Sequence, residues 1–429
     1  MKKFSYLLIL LLVVSVVIAG CNSGGGDSNE DGITTIDFAI HVANPMEQEP
    51  AFSKLIEQFQ IENPDIKVNL IGKEQQEHVK NIKMMSQSNK LPDVFWMLPA
   101  SASELYEAGM LMGLNDFIKE NPEIKNSLNE NMLSTYAANG EQYGLPYQPL
   151  VTGLFYNKAL FKQHGVELPK TIEDLVAAAK VFKQNGVTTI AKGAKDEYSV
   201  WAFLTMLSRY GYFEKIDNIM AGKEKYNNED FVNYYKKIDE LRKAGAFPDN
   251  VSTQTYFQAV EQFLGGQAAF LDSGMWDIPK IEESGIDAGF WWGPTFADGV
   301  GNQNISSVVP AAPLLVSKNV EKDAAKKEAV LKLFAFYYGE KGTQIMVENQ
   351  VPPMTNTKVT IDEAKNPLFK QLVDQIQLKG WVSQPNQPDL VVPEAIGNAM
   401  YDSIYGVING TYTPEEAAKV VQNKVDETK

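Results

Sequence analysis

The chain has 429 residues, 44% of them apolar, with a formal charge of −15 and a single cysteine. That length exceeds what one hydrophobic core normally serves, so two domains are the default expectation. The negative charge argues against nucleic acid and acidic lipid surfaces as partners, and one cysteine excludes an internal disulfide.

At the start, Lys2 and Lys3 precede an apolar run from Leu7 to Ala19 that only Ser15 interrupts. This is the layout of a secretion signal, and the run is shorter than the roughly 20 residues a membrane-spanning helix needs. Residues 1–20 are expected to be removed, which makes the formal charge −17. The segment Ile18-Ala19-Gly20-Cys21 resembles the lipobox of bacterial lipoproteins, in which the cysteine becomes the N-terminus and carries lipid. A lone exported thiol is a reactive liability that lipidation removes, and acyl chains at about 0.8 kcal/mol per buried CH₂ anchor stably once several are present. Residues 22–32, all Gly, Ser, Asn, Asp or Glu, read as a flexible tether, so the folded body begins near Ile33.

The segment 34–43 reads as a strand, and Phe52, Leu55, Ile56 and Phe59 follow at the spacing of one helical face. IKVNLIG alternates as a strand, a helix is expected from Glu74 to Asn89, and PDVFWML reads as a buried strand. This alternation predicts an α/β domain with a largely parallel sheet and a ligand beyond the carboxyl ends of its strands. VTGLFYNKALF is a strand running into a short helix, and Thr171 with Asp174 caps the next helix. VTTIAKG is a strand, helices are expected near 199–211 and 229–243, and Gly265-Gly266 stops a helix that ends at Leu264. QAAFLD, AGFWW and APLLV read as strands, and 322–349 as helix broken at Gly339 to Gly342. Pro352-Pro353 forces a turn, and Thr413-Pro414-Glu415-Glu416 opens a terminal helix.

The stretch GEQYGLPYQPLVTGLFYNKALFKQHGVELPKTIEDLVAAAKVFKQNG (140–186) resembles extracellular solute-binding proteins of ATP-binding-cassette importers, in the carbohydrate-binding group related to maltose-binding proteins. The segments 91–118, 263–278 and 311–337 agree in order, so the resemblance runs from about 33 to 425. It implies a two-lobed, periplasmic-binding-protein-like α/β fold of type II whose chain crosses between lobes three times, near Pro146–Thr152, Ile305–Pro313 and Pro352–Thr357. The lobes implied are 33–146 with 310–353, and 147–309 with 354–429. Prolines at all three crossings suit hinges that bend at fixed points while each lobe moves rigidly.

A sugar presents C–H ring faces and a rim of hydroxyls, so its site needs flat aromatics and side chains that both donate and accept. Trp276 follows Asp272-Ser273-Gly274 at a strand-to-helix turn, where the family carries an aromatic that stacks on sugar, and Asp272 and Ser273 join it as candidates. For Trp201 stacking and helix packing both stand open. Trp291 and Trp292 point to opposite faces of one strand, and Trp292 is the one expected at the cleft. Trp96 ends its strand at the ligand side, with core burial as its competitor. Tyr147 and Gln148 stand at the first crossing, where family members often place a polar contact, although Tyr147 is also suited to packing under the hinge. Asn44, Asn302 and Gln303 are loop amides, in contact with ligand or simply in turns. After the tryptophan at 96 the chain reads MLPASAS, where sugar binders commonly offer Asn, Asp or Arg, and Ser101 and Ser103 are the available replacements.

Among rival readings, carboxylate pairs for a glycoside hydrolase decide nothing in a chain with 54 acidic residues, and no nucleophile elbow, metalloprotease helix or phosphate loop is present. His41, His78 and His164 lie in separate elements, so no metal cluster is visible, and no cofactor is expected. A polyamine or peptide binder on the same fold stays open. The reading is a monomeric, lipid-tethered receptor on the outer face of the cell membrane. It captures a sugar or oligosaccharide between its lobes, hands it to membrane permease subunits and performs no chemistry.

Overall fold

The computed structural model describes residues 32–428 apart from 129, 196–198 and 355–358. Cys21, the signal segment and most of the tether lie outside the described residues, as does part of the expected third crossing.

Two sheets organise the chain. The first runs Ile66–Gly72, Thr34–Ile40, Val94–Trp96, Pro313–Val316, Leu145–Pro146. Its first three strands are parallel and Pro313–Val316 is antiparallel to both neighbours. The second runs Ala288–Trp291, Pro149–Asn157, Ala268–Gly274, Thr188–Ala191. Here Pro149–Asn157 opposes both neighbours, while Thr188–Ala191 is parallel to Ala268–Gly274. The expected parallel sheet therefore holds for the N-terminal strands only. Pro313–Val316 returns from the second sheet and enters antiparallel, which local alternation does not reveal.

Helix Pro50–Glu62 buries Phe52, Leu55, Ile56 and Phe59 on the first sheet, each contributing roughly 1.5–3 kcal/mol of apolar burial. Helices Ala324–Tyr338 and Glu340–Glu348 pack on the same core, separated at Gly339 as the sequence indicates. Glu229–Ala244, Glu394–Ile408 and Pro414–Glu427 pack together over the second sheet. The capping boxes at Thr171 and Thr413 form as expected. The single helix expected near 199–211 is two, Trp201–Ser208 and Tyr212–Met220, parted by Gly211 in the left-handed region.

The chain leaves the first sheet at Pro146 and enters the second at Pro149; it comes back from Pro310 to Pro313. The two passages lie side by side, Pro149 opposite Pro310 and Pro146 opposite Pro313. Between the proline pairs, Ala311 N–H donates to the Gln148 carbonyl at 2.9 Å and Tyr147 N–H to the Ala312 carbonyl at 3.2 Å.

Candidate functional site

On the second-sheet side the strand Ala268–Gly274 delivers a linked group. Ser273 Oγ donates to Asp277 Oδ2 at 2.6 Å, the Tyr256 hydroxyl also donates to Asp277, and the Trp276 indole N–H donates to the Tyr256 hydroxyl at 2.8 Å. Burial pushes the Asp277 carboxyl above its ordinary range, and these donors hold it down. With its N–H satisfied, Trp276 is fixed in orientation and 36% exposed. The half-buried Trp201 meets it edge-on, ring centroids 4.8 Å apart at 69°, and also meets Tyr256 at 5.5 Å. Gly274 is required here, since a Cβ would fall 2.3 Å from the Trp276 ring. Nothing in the chain pattern singled out Tyr256 or Asp277; the glycine preceding an aromatic at a strand end was the available signal.

Asp272 lies under this group and not in it. Its Oδ1 accepts from Ala202 N–H at 2.9 Å, at the start of the helix that carries Trp201, and its Oδ2 is paired with Lys192. Both side chains are fully buried; burial pushes the Asp272 carboxyl up and the Lys192 ammonium down, each opposed by the other's charge. Ser273 is buried and committed to its internal bonds. Both residues, taken from the sequence as contacts, are supports for the two tryptophans.

Trp292 is 2% exposed and packs edge-on against Phe290 and beside Trp381. Trp291 packs against Phe270 on the opposite side of the strand. The alternation of the pair is as expected, but Trp292 is covered by Phe290 and Trp381 and packs in the core. Trp96, 5% exposed, is covered by the His41 imidazole stacked at 4.0 Å and 14°. Burial lowers the His41 pKa to about 3, with the nearby His78 adding to the effect. Tyr147 is buried at the passage between sheets against Phe52, Tyr337 and His41, the packing alternative. Next to it, burial pushes the Glu49 carboxyl up to about 7 against the hydrogen-bonding pull of Tyr147. Gln148 is half-buried and its Oε1 has no partner.

The loop amides divide. Gln303 is used within its own loop, donating to the Arg209 and Gly301 carbonyls and accepting from Phe296 N–H at 2.9 Å. Arg209, fully buried with its pKa pulled down to about 9 by burial, donates back to the Gln303, Trp292 and Ile305 carbonyls. Asn302 is exposed and accepts from Asn304 N–H at 2.9 Å. Asn44 is exposed after the first strand, and its side chain does not cap the helix that follows.

A cavity of about 790 Å³ lies between elements packed on the two sheets, and neither Trp276 nor Trp201 lines it. Its first-sheet wall is helix Gln75–Gln87 and the start of helix Pro99–Glu107, including Ser101, one of the replacements the sequence offered. The other wall is Asp389, Leu390, Val392 and helix Glu394–Ile408 with Asn398 and Tyr401. The volume is within the usual range for small-molecule sites. Among the described residues no group of three or more metal-ligating side chains is placed to hold an ion.

Known proteins align with this chain over most of its length. The Multiple sugar-binding protein of Streptococcus mutans is 24% identical over 295 residues, 66% of this chain and 66% of that protein, just short of two thirds of its length. The Galactooligosaccharide-binding protein of Bacillus subtilis is 24% identical over 363 residues, 81% of this chain and 79% of that one. In three dimensions, a Chitin oligosaccharide binding protein superposes with a TM-score of 0.76 at 20% identity, covering 91% of this chain and 100% of that chain. The maltose/maltodextrin-binding domain from Bdellovibrio bacteriovorus bound to maltotriose superposes at 0.69 with 17% identity, covering 92% and 99%. These likenesses establish the α/β periplasmic-binding-protein-like fold. The sequence profile of the bacterial extracellular solute-binding proteins matches residues 43–344, well over half of the chain, and the protein belongs to that family.

Proposed function

We propose that the protein captures a sugar or oligosaccharide in the gap between its two halves and delivers it to the permease of an ATP-binding-cassette importer, as a binder that carries out no chemistry. One observation carries the reading. Trp276 stands at a strand's carboxyl end with its N–H locked onto Tyr256 and its ring partly exposed, which is what stacking on a sugar face requires. The relatives named for multiple sugars and galactooligosaccharides support the same ligand class. A polyamine would need free carboxylates around the aromatics, whereas Asp272 and Asp277 are bound up internally.

In this reading the fold is type II with three interlobe crossings, and the lobes are 33–146 with 310–353 and 147–309 with 354–429. Trp276 and Trp201 supply the stacking surface. Asn44, Gln148 and Asn302 are the sequence-derived amides left to meet the ligand rim. The receptor acts as a monomer, held at the outer face of the membrane by lipid on Cys21. Thermal-shift and calorimetric screening against mono- and oligosaccharides tests the ligand, since a bound sugar raises the melting temperature by mass action. Absence of heat and of any shift across the panel would remove the sugar reading. Palmitate incorporation, lost in Cys21→Ala, tests the anchor.

A further inference from the structure

The first-sheet wall of the 790 Å³ cavity differs in charge from the chain as a whole. In a chain with 54 acidic and 39 basic residues, that wall carries Lys80 and Lys83 and no carboxylate. Both lysines are exposed on helix Gln75–Gln87, and neither side chain has an ion pair or a hydrogen bond among the described residues. Beside them stands the start of helix Pro99–Glu107, tied to the first helix by His78 Nε2, which donates to the Trp96 carbonyl at 2.7 Å. Residues 98–101 all line the cavity there. No side chain caps this helix, and Pro99 at its start has no N–H, so the N–H groups of Ala100 and Ser101 are the open donors, without a partner among the described residues. A second observation points the same way. Ser101 is only 5% exposed and borders the cavity, and its hydroxyl has no partner among the described residues either.

We infer that the cavity takes an acidic oligosaccharide, the carboxylate of a uronate unit accepting from the Ala100 and Ser101 N–H groups and the Ser101 hydroxyl, with Lys80 and Lys83 on the same wall. This rests on the sugar-binding reading above and narrows its ligand class. A helix start offers an anion unpaired donors and positive partial charge, and a carboxylate, which only accepts, matches a set made of donors. Gln75, Gln76 and Gln87 on the same wall both donate and accept, as the remaining sugar hydroxyls require. The carboxyls that line the cavity, Asp389 and Glu394, stand on the opposite wall. Asp389 accepts from the Tyr401 hydroxyl, and burial pushes its carboxyl above the ordinary range, toward the neutral form. Glu394 lies in the first turn of its own helix, whose positive end it complements. Exposed lysines attract weakly one at a time, so the helix start supplies position while the lysines add a charge preference that salt screens.

The test is titration calorimetry of the full chain with trigalacturonate, maltotriose, xylotriose and triglutamate, on wild type, on the double variant Lys80→Gln with Lys83→Gln, and on Ser101→Ala. Expected is an affinity for trigalacturonate roughly tenfold or more above that for either neutral trisaccharide, falling as salt is raised. The double lysine variant and Ser101→Ala should each lose about tenfold for trigalacturonate, the scale of a hydrogen bond to a charged group, with ligand-free melting temperatures unchanged. A neutral trisaccharide bound as tightly as trigalacturonate would overturn the acid preference and leave the sugar reading standing. Trigalacturonate affinity untouched in both variants would overturn the site. Triglutamate bound as tightly as trigalacturonate would overturn the inference too, since charge without a sugar would then suffice. If no saccharide binds wild type, the sugar reading fails and the inference with it, and that outcome is read before any variant is compared.

Discussion

Trp276 donates its indole N–H to the Tyr256 hydroxyl at 2.8 Å, and that hydroxyl in turn donates to Asp277. The ring is therefore oriented before any ligand arrives, so binding does not bear the cost of freezing it. Trp276→Ala should weaken sugar binding by at least ~1 kcal/mol, the scale of an aromatic contact. Tyr256→Phe keeps the packing and removes the anchor, so a smaller loss of about 0.5–1.5 kcal/mol is expected. Calorimetry of both variants checks the order; equal losses would mean that orientation, not stacking area, dominates.

Gly274 gives a second, independent handle on the same ring. Its φ of −134° is open to any residue, so Gly274→Ala adds only a methyl that meets the Trp276 ring at 2.3 Å. The expected outcome is a displaced Trp276, seen as a changed tryptophan emission in the free protein, with far-ultraviolet circular dichroism unaltered.

The Lys192–Asp272 pair is fully buried and fixes the helix that begins at Trp201. Lys192→Met leaves the carboxylate unpaired and should cost about 3–5 kcal/mol, whereas Lys192→Met with Asp272→Leu removes both charges and should recover much of that loss. Urea unfolding of the single and double variants measures the difference. A double variant no better than the single would show that the Ala202 bond, and not the charge, is what matters.

Glu49 and His41 both border Tyr147, and their burial acts on stability in opposite pH directions. The Glu49 folded pKa is raised to about 7 from 4.5, so its contribution is present below 4.5 and is lost as pH rises through 7. The His41 folded pKa is lowered to about 3 from 6.5, so its contribution is present above 6.5 and is lost as pH falls toward 3. Glu49→Gln should therefore stabilise the protein at alkaline pH by about 1–3 kcal/mol and change little in acid. His41→Phe, which keeps the stack on Trp96, should flatten the acid limb. Melting curves across pH for each variant separate the two.

What the chain pattern disclosed was local chemistry. Helix caps at Thr171 and Thr413, the buried stripe from Phe52 to Phe59 and the stop at Gly265-Gly266 all depend on neighbours within a turn or two. The direction of Pro313–Val316 depends on a partner more than 200 residues away and left no mark in its own sequence. Similarly, Trp96 and Trp292 look alike to Trp276 in a strand-end pattern. Only the imidazole of His41 and the rings of Phe290 and Trp381 decide that they are covered. Asp389 was invisible for a related reason: it sits in a short helical turn whose position is set by Thr152 and Ser307, far off in the chain.

The facing prolines at 146 and 313, and again at 149 and 310, bound a ribbon only two residues long on each strand. Proline cannot donate to a ladder, so each pair interrupts the continuity of hydrogen bonding that would otherwise weld the sheets into one. In the two-lobed reading proposed above, torsion would be concentrated at Tyr147, Gln148, Ala311 and Ala312, and a swing of one lobe against the other would be a rotation about a short pivot with little sliding. In the same reading, so short a pivot would act as a mechanical stop as well as a joint, since the aromatic rings packed under Tyr147 leave it little room to turn.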